Sequence, residues 1–281
     1  MKKQEILELR KWAAKIRKHI ITEVLHAASG HPGGSLSCTD ILTVLYFHEM
    51  KVDPKNPRWE DRDRFVLSKG HCSPALYGAL AEKGFFPVED LKSFRHIDSY
   101  LEGHPSMKSV PGVDMSTGSL GQGISAAVGM ALAGKLDKKD YRVYSILGDG
   151  ELQEGQVWEA FMAAAHYKLD NLVAFLDYNG LQIDGKITEV LSPEPIEDKL
   201  KAFGWKVIRI NGHDFVQIIE ALNEAGKSKG KPVVIMAETV KGKGVSFMEN
   251  QAGWHGTAPS QEQAEQAFAE IDAYMSKLEV E

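Results

Sequence analysis

From Tyr141 onward the chain alternates short apolar runs with helical stretches, and this pattern constrains its fold more than any other feature. RVYSIL precedes a helix expected from Leu152 to Lys168; LVAFL, KVIRI, a helix from Phe215 and VVIMAE then follow. Such βαβ alternation implies an α/β fold with a mostly parallel sheet flanked by helices on both faces. Right-handed crossovers carry every strand end to the same edge, and ligands of such sheets bind at the carboxyl ends of the strands.

Upstream, Ile6, Leu9, Ala13, Ile16, Ile20 and Val24 recur at steps of three or four, the mark of one apolar helical face over about the first 28 residues. Further helices are expected over Cys38–Glu49, Pro74–Lys83, Leu120–Leu136 and Ser260–Leu278, with a loop over 51–65, where Pro54 and Pro57 sit among charges. No internal repeat or long polar linker divides the 281 residues, so residues 1–281 are read as one domain.

The 33 basic and 39 acidic residues give a net charge of −6, which offers no general attraction to nucleic acid or anionic lipid. Hydrophobic residues at 43% and charged residues at 26% describe an ordinary globular chain. Cys38 and Cys72 form no CxxC pair, so buried thiols in a reducing compartment are expected. The amino-terminal segment has no apolar core of an export signal, and no membrane span is present; a cytoplasmic location is expected.

Chemistry concentrates at two strand ends. RVYSIL runs into Gly148-Asp149-Gly150 and LVAFL into Asp177-Tyr178-Asn179, with thirty positions between Asp149 and Asn179. A βαβ unit brings both oxygen donors to one rim, where two hard oxygens and a nearby backbone carbonyl suit Mg²⁺ or Ca²⁺ completed by phosphate oxygens. Gly148 and Gly150 let the backbone approach a diphosphate, and the following helix offers its N-terminal amides. GDG alone is also the composition of an ordinary strand-end turn. GSLGQG is not a dinucleotide fingerprint, because its glycines fall in GxxGxG order with no strand before them.

The GDG…N pair resembles the thiamine diphosphate motif, and the resemblance extends along nearly the whole chain. SGHPGGSLSCTDIL, LSKGHCSPALY, GHPS, STGSLGQGISAAVGMALA, GDGELQEGQVWEAFMAAAHYKLDNLVAFLDYNG, KGKG and WHG follow in the order of the N-terminal, diphosphate-binding part of transketolase. The resemblance implies that Asp149, Asn179 and the Leu181 carbonyl hold the divalent ion and that Gly150 touches the diphosphate. It implies also that Gly118, Ser119 and Leu120 form a loop against the cofactor and that Lys241 lies near it. Glu154 takes the place of a carboxylate in a network crossing the subunit interface. Where some relatives carry a hydroxyl residue, this chain has Gly34.

Four of the ten histidines fall inside these motifs: His31, His71, His104 and His255. By resemblance His31, His104 and His255 handle donor-sugar hydroxyls and carbonyl, and His71 and His255 sit close to the cofactor. Imidazoles that donate, accept and exchange protons near neutral pH suit that chemistry. His19, His26, His48, His96, His166 and His213 lack such a context and are read as structural.

The family's pyrimidine-binding domain, with its activating glutamate and sugar-phosphate clamps, is expected on a separate C-terminal subunit, in an α₂β₂ assembly. The implied activity is transfer of a two-carbon ketol unit from a ketose (phosphate) to an aldose (phosphate), dependent on thiamine diphosphate and Mg²⁺ or Ca²⁺. Two alternatives stand beside it: a deoxyxylulose-phosphate synthase-like or ketoacid dehydrogenase α-like enzyme, and a non-catalytic scaffold that binds the cofactor.

Overall fold

The computed structural model describes residues 3–280; residues 1, 2 and 281 of the expected domain lie outside the described residues. The chain opens with α1 (Lys3–Ala27), α2 (Pro32–Ser37) and α3 (Thr39–Val44), the last continuing as a π-helical turn to Glu49. Next come β1 (Arg64–Leu67), α4 (Ser73–Lys83), α5 (Gln122–Leu136), β2 (Val143–Gly148), α6 (Gly155–His166) and β3 (Leu172–Tyr178). A small hairpin, β4 (Leu181–Gln182) and β5 (Gly185–Lys186), leads into the short helices α7 (Ile187–Val190) and α8 (Ile196–Ala202). The chain continues through β6 (Lys206–Asn211), α9 (Phe215–Gly226), β7 (Val233–Glu238) and α10 (Gln261–Leu278).

Five strands form one sheet in the order β1-β2-β3-β7-β6, and every neighbouring pair is parallel. Alternate side chains enter opposite cores. Phe65, Tyr144, Ile146, Val173, Phe175 and Ile235 pack under α1, α3, α4 and α9, whereas Val66, Leu147, Leu172, Ala174 and Met236 pack under α5, α6 and α8. Strands covered on both faces read as continuous apolar runs, which is why β2, β3 and β7 are legible in the sequence.

The apolar positions expected on α1 all turn inward, with Ile6 only partly buried at its end. At the other terminus Ser260 caps α10 in a reciprocal box with Gln263. Elsewhere the boundaries move for local reasons. Helix α5 starts at Gln122 instead of Leu120 because Gly121 is left-handed (φ +82°). The helix expected from Leu152 becomes a 3₁₀ turn, Gly150–Gln153, followed by α6, because Glu151 turns inward to accept the N–H groups of Gly121 and Gly148. The expected helix over Cys38–Glu49 starts one residue later and is preceded by α2, whose glycines are poor helix formers. Close packing favours them there: a Cβ on Gly34 would stand 2.8 Å from Cys72 Sγ. Strand β1, only four residues long, begins inside the stretch read as a loop. Both cysteines are free and buried.

Glu23 on α1 is fully buried, and neither carboxyl oxygen finds a hydrogen-bond partner. Burial pushes its carboxyl well above the usual glutamate range. The group therefore holds its proton more tightly in the folded than in the unfolded chain, so its stabilising share is complete below the unfolded value and is lost as pH rises through the folded one. Glu23→Gln should gain on the wild type by about 2–4 °C in Tm per pH unit above about pH 4.3, until the folded value is passed. Thermal melts at several pH values check this, and a pH-independent difference would contradict it.

Candidate active site

Parallel register sets the geometry of the site. Gly148 of β2 pairs with Asp177 of β3, so Asp149 and Asn179 leave adjacent strands on the same rim. The two segments are joined directly: Asp149 accepts from the N–H groups of Gly150 (2.8 Å) and Gly180 (2.5 Å), the latter following Asn179 in the chain. Asn179 Oδ1 accepts from the Leu181 N–H at 3.1 Å, while its Nδ2 is 3.3 Å from Asp177 Oδ2 and 3.5 Å from Ser37 Oγ.

These tips open into a cavity of about 280 Å³. Its walls bring together most of the residues singled out from sequence: His31, His71, Gly118, Leu120, Asp149, Gly150, Glu154, Asn179, Leu181, Lys241 and His255. Gly34 lines it too. Two expected residues stand outside this wall. Ser119 is exposed, and His104 lies behind Gly118, where an added Cβ would come 3.1 Å from its ring. Glu154 lines the cavity but is exposed.

The imidazoles cluster. His31 lies 5.2 Å from His71, 5.5 Å from His255 and 6.3 Å from His104 between ring centroids, and His71 lies 5.0 Å from His255. Burial and then the neighbouring His71 lower His31 to about 4; burial and then Lys241 lower His255 to about 3; burial and then Arg95 lower His104. These three rings are therefore neutral at pH 7, able to donate from one nitrogen and accept at the other. Lys241 Nζ is 2.9 Å from His255 Nδ1, and burial together with Lys69 lowers its ammonium.

Sequence reasoning missed the charged floor of this cavity. Asp177, wholly buried, accepts from Lys69, Ser37 and Thr239, and Lys69 also donates to the Gly34 carbonyl at 2.9 Å. Burial works against the charge of Lys69, but Asp177 and the two cysteine sulfurs more than offset it and hold the ammonium well above its usual range. Glu151 is likewise buried, accepting from Ser68 and from the amides of Gly121 and Gly148. The available signal was a charged residue next to motif glycines, Lys69 in KGH and Glu151 in GDGE. Gln153, Gln182 and Ile183 also line the cavity and were not anticipated.

The donor set fits a hard divalent cation. Burial and then the charge of Asp177 push Asp149 up to about 7, against the donated N–H groups of Gly180 and Gly150. A cation beside Asp149 and Asn179 would relieve that repulsion.

Residues 9–272 match the family described as transketolase, thiamine diphosphate binding domain, so the fold is that of a thiamine diphosphate-binding α/β protein. The chain is 48% identical to a 6-deoxy-6-sulfo-D-fructose transketolase subunit of Clostridium sp. (strain MSTE9) over 97% of its own length and 98% of the relative's. It is 47% identical to an apulose-4-phosphate transketolase subunit of Phocaeicola vulgatus over 99% and 98% of the two chains. A crystal structure of a transketolase mutant from Pichia stipitis superposes with a TM-score of 0.87 at 35% identity, covering 96% of this chain and 44% of that longer one. The chain belongs to the transketolase family.

Lys69→Met would leave Asp177 as an uncompensated buried charge. Urea unfolding of the variant should show a loss of about 3–5 kcal/mol, and Lys69→Met combined with Asp177→Asn should recover most of it. An unrecovered loss in the double variant would show that the pair is not the source of the effect.

Proposed function

We propose that this chain, residues 1–281, is the diphosphate-binding subunit of a split transketolase, working in the cytoplasm with a partner that carries the pyrimidine-binding domain in an α₂β₂ assembly. One observation carries the reading: a carboxylate and an amide at neighbouring strand tips face one cavity that is also lined by a cluster of histidines. Subunit names among the relatives support the division into two chains.

In this reading Asp149, Asn179 and the Leu181 carbonyl hold Mg²⁺ or Ca²⁺, and through it the diphosphate of thiamine diphosphate. Gly150 lies against the diphosphate, and Gly118, Ser119 and Leu120 form the loop beside the cofactor. When bound, thiamine diphosphate supplies the electron sink that lets the bond between C2 and C3 of a ketose break. The chain's own residues bind, orient and move protons. His31, His104 and His255 hydrogen-bond the donor's hydroxyls and carbonyl; His71 and Lys241 stand nearer the cofactor. Neutral rings suit this work, since each can take a hydroxyl proton and return it. Glu154, exposed at the rim, meets the partner in this reading.

The substrates in this reading are a ketose and an aldose, phosphorylated or carrying another anionic group. The Clostridium and Phocaeicola relatives are named for 6-deoxy-6-sulfo-D-fructose and apulose 4-phosphate respectively.

Purified chain, alone and combined with the product of the adjacent reading frame, tests the proposal by ketol transfer from a ketose phosphate and by turnover of pyruvate. Transfer only in the mixture is expected. Robust transfer by the isolated chain would overturn the split architecture, pyruvate turnover would favour another thiamine enzyme, and cofactor binding without any turnover would favour a scaffold. Asp149→Ala should weaken cation-dependent thiamine diphosphate binding by about 100-fold or more in calorimetry; unchanged binding would remove Asp149 from the site. His104→Ala should lower kcat of the assembled enzyme by about 10²–10⁴-fold with cofactor affinity preserved; normal kinetics would remove its role.

A further inference from the structure

Behind the cofactor cavity runs a chain of buried polar contacts that the proposed chemistry does not use. Arg17 of α1 forms a two-pronged pair with Asp40 of α3, both bonds 2.8 Å, and its Nε donates to the Lys243 carbonyl at 3.0 Å. Asp40 Oδ2 lies 2.7 Å from His213 Nδ1, in the turn between β6 and α9. The opposite ring nitrogen, Nε2, is 2.8 Å from the backbone N of Val240. Val240 directly precedes Lys241, whose ammonium enters the cavity and pairs with His255.

An amide N–H can only donate, so His213 Nε2 carries the lone pair and the proton resides on Nδ1, donated to Asp40. Asp40 is a strong acceptor: burial works against its charge, but Arg17 and His213 hold its carboxylate down at about 2. The turn bearing His213 is itself fixed. Asp214 caps α9 through the N–H groups of Val216 and Gln217, and Gly212 packs so closely on β7 that a Cβ would meet Thr239 Cγ2 at 2.5 Å. The segment after β7 is held at three further points: Lys241 O accepts from the Asn250 N–H, Gly242 N–H donates to Gly33 O, and Lys243 O accepts from Arg17.

We propose that His213 is a positioning residue for the cofactor site: its Nε2, fixed as an acceptor by Asp40 and Arg17, seats the Val240 N–H and so sets where Lys241 enters the cavity. The ring is unlike the four motif histidines because it faces no cavity shared with them and touches no reacting group. Arg17, Asp40 and His213 come from three separate parts of the chain, so the seat forms only when α1, α3 and the β6–α9 turn are all docked. The affinity arm of the test below rests on the proposed thiamine diphosphate reading; the spectroscopic arm does not.

Two substitutions separate positioning from simple packing. In His213→Gln the side-chain oxygen reaches the place of Nε2 and accepts from Val240. In His213→Asn the shorter amide reaches the place of Nδ1, donates to Asp40 and leaves the Val240 N–H without a partner. In the wild-type chain, ¹⁵N imidazole NMR at pH 7.5 should find His213 neutral with the proton on Nδ1. The His255 Nδ1 resonance, which reports the Lys241 contact, should hold in His213→Gln and shift in His213→Asn. Thiamine diphosphate affinity with Mg²⁺ should stay within about 3-fold of wild type in the Gln variant and fall by about 10–100-fold in the Asn variant. A proton on Nε2, a charged ring, or equal effects of the two substitutions would overturn the proposal. Should His213→Asn fail to fold, the wild-type protonation state still decides. If the wild-type chain binds no thiamine diphosphate, the proposed function fails, while the His213 and His255 resonances still judge this inference.

Discussion

The structure depends on burying negative charge where a parallel sheet ends. Asp149, Glu151 and Asp177 are each 2% exposed or less, within a few residues of the β2 and β3 tips. A desolvated carboxylate survives in such a place only with donors aimed at it. Each finds a different set. Asp177 has an ammonium, two hydroxyls and the Asn179 side-chain amide, Glu151 has a hydroxyl and two backbone amides, and Asp149 has two backbone amides. Asp149 alone lacks a side-chain donor in these contacts; burial lifts it to about 7 and raises Glu151 as well. The sheet thus gathers buried acidic groups, Asp149 and Glu151, at the wall of the cavity, a setting that a turn of the same sequence in solvent would lack.

Basic groups are shaped by the same surroundings in the opposite sense. His31 and His255 are held neutral by burial, by neighbouring imidazoles and by nearby cations, and Lys241 is lowered by burial and Lys69. The cavity therefore carries acidic side chains at the strand tips together with the neutral rings of His31 and His255 beside Lys241. In the proposed reading a polyhydroxylated ligand meets rings that can donate or accept at neutral pH, and a diphosphate–cation pair meets the acidic end. This separation across a cavity of about 280 Å³ follows from burial acting with opposite sign on acids and bases.

Much of this was legible in the sequence because short apolar strands end on small polar residues. RVYSIL before GDG, and LVAFL before DYN, were enough to place Asp149 and Asn179 on one rim, since parallel crossover geometry leaves no other arrangement. The motif histidines cluster, with His104 set back behind Gly118. What escaped was tertiary. Strand β1 is four residues long and gives no periodic signal. Glu151, one residue ahead of the expected helix, drew no reading of its own because nothing local shows that the amides of Gly121 and Gly148 await it. Lys69 and Asp177 lie 108 positions apart, and their pairing exists only once β1 and β3 flank β2.

His213 shows the same limit from the other side. In sequence it is a histidine in an ordinary turn after a strand; in the fold its two ring nitrogens are assigned by partners from α3 and from the segment after β7. Its neighbour Asp40 is fixed in turn by Arg17, and Arg17 also grips the Lys243 carbonyl. Helix α1, whose apolar face serves the core, thereby reaches the loop that delivers Lys241. Stability and site geometry are consequently not separable in this region. Loosening α1 removes the two-pronged partner of Asp40, and with it the anchor that turns His213 Nε2 toward the Val240 N–H. The position of one ammonium in the cavity thus rests on a helix more than two hundred residues earlier in the chain.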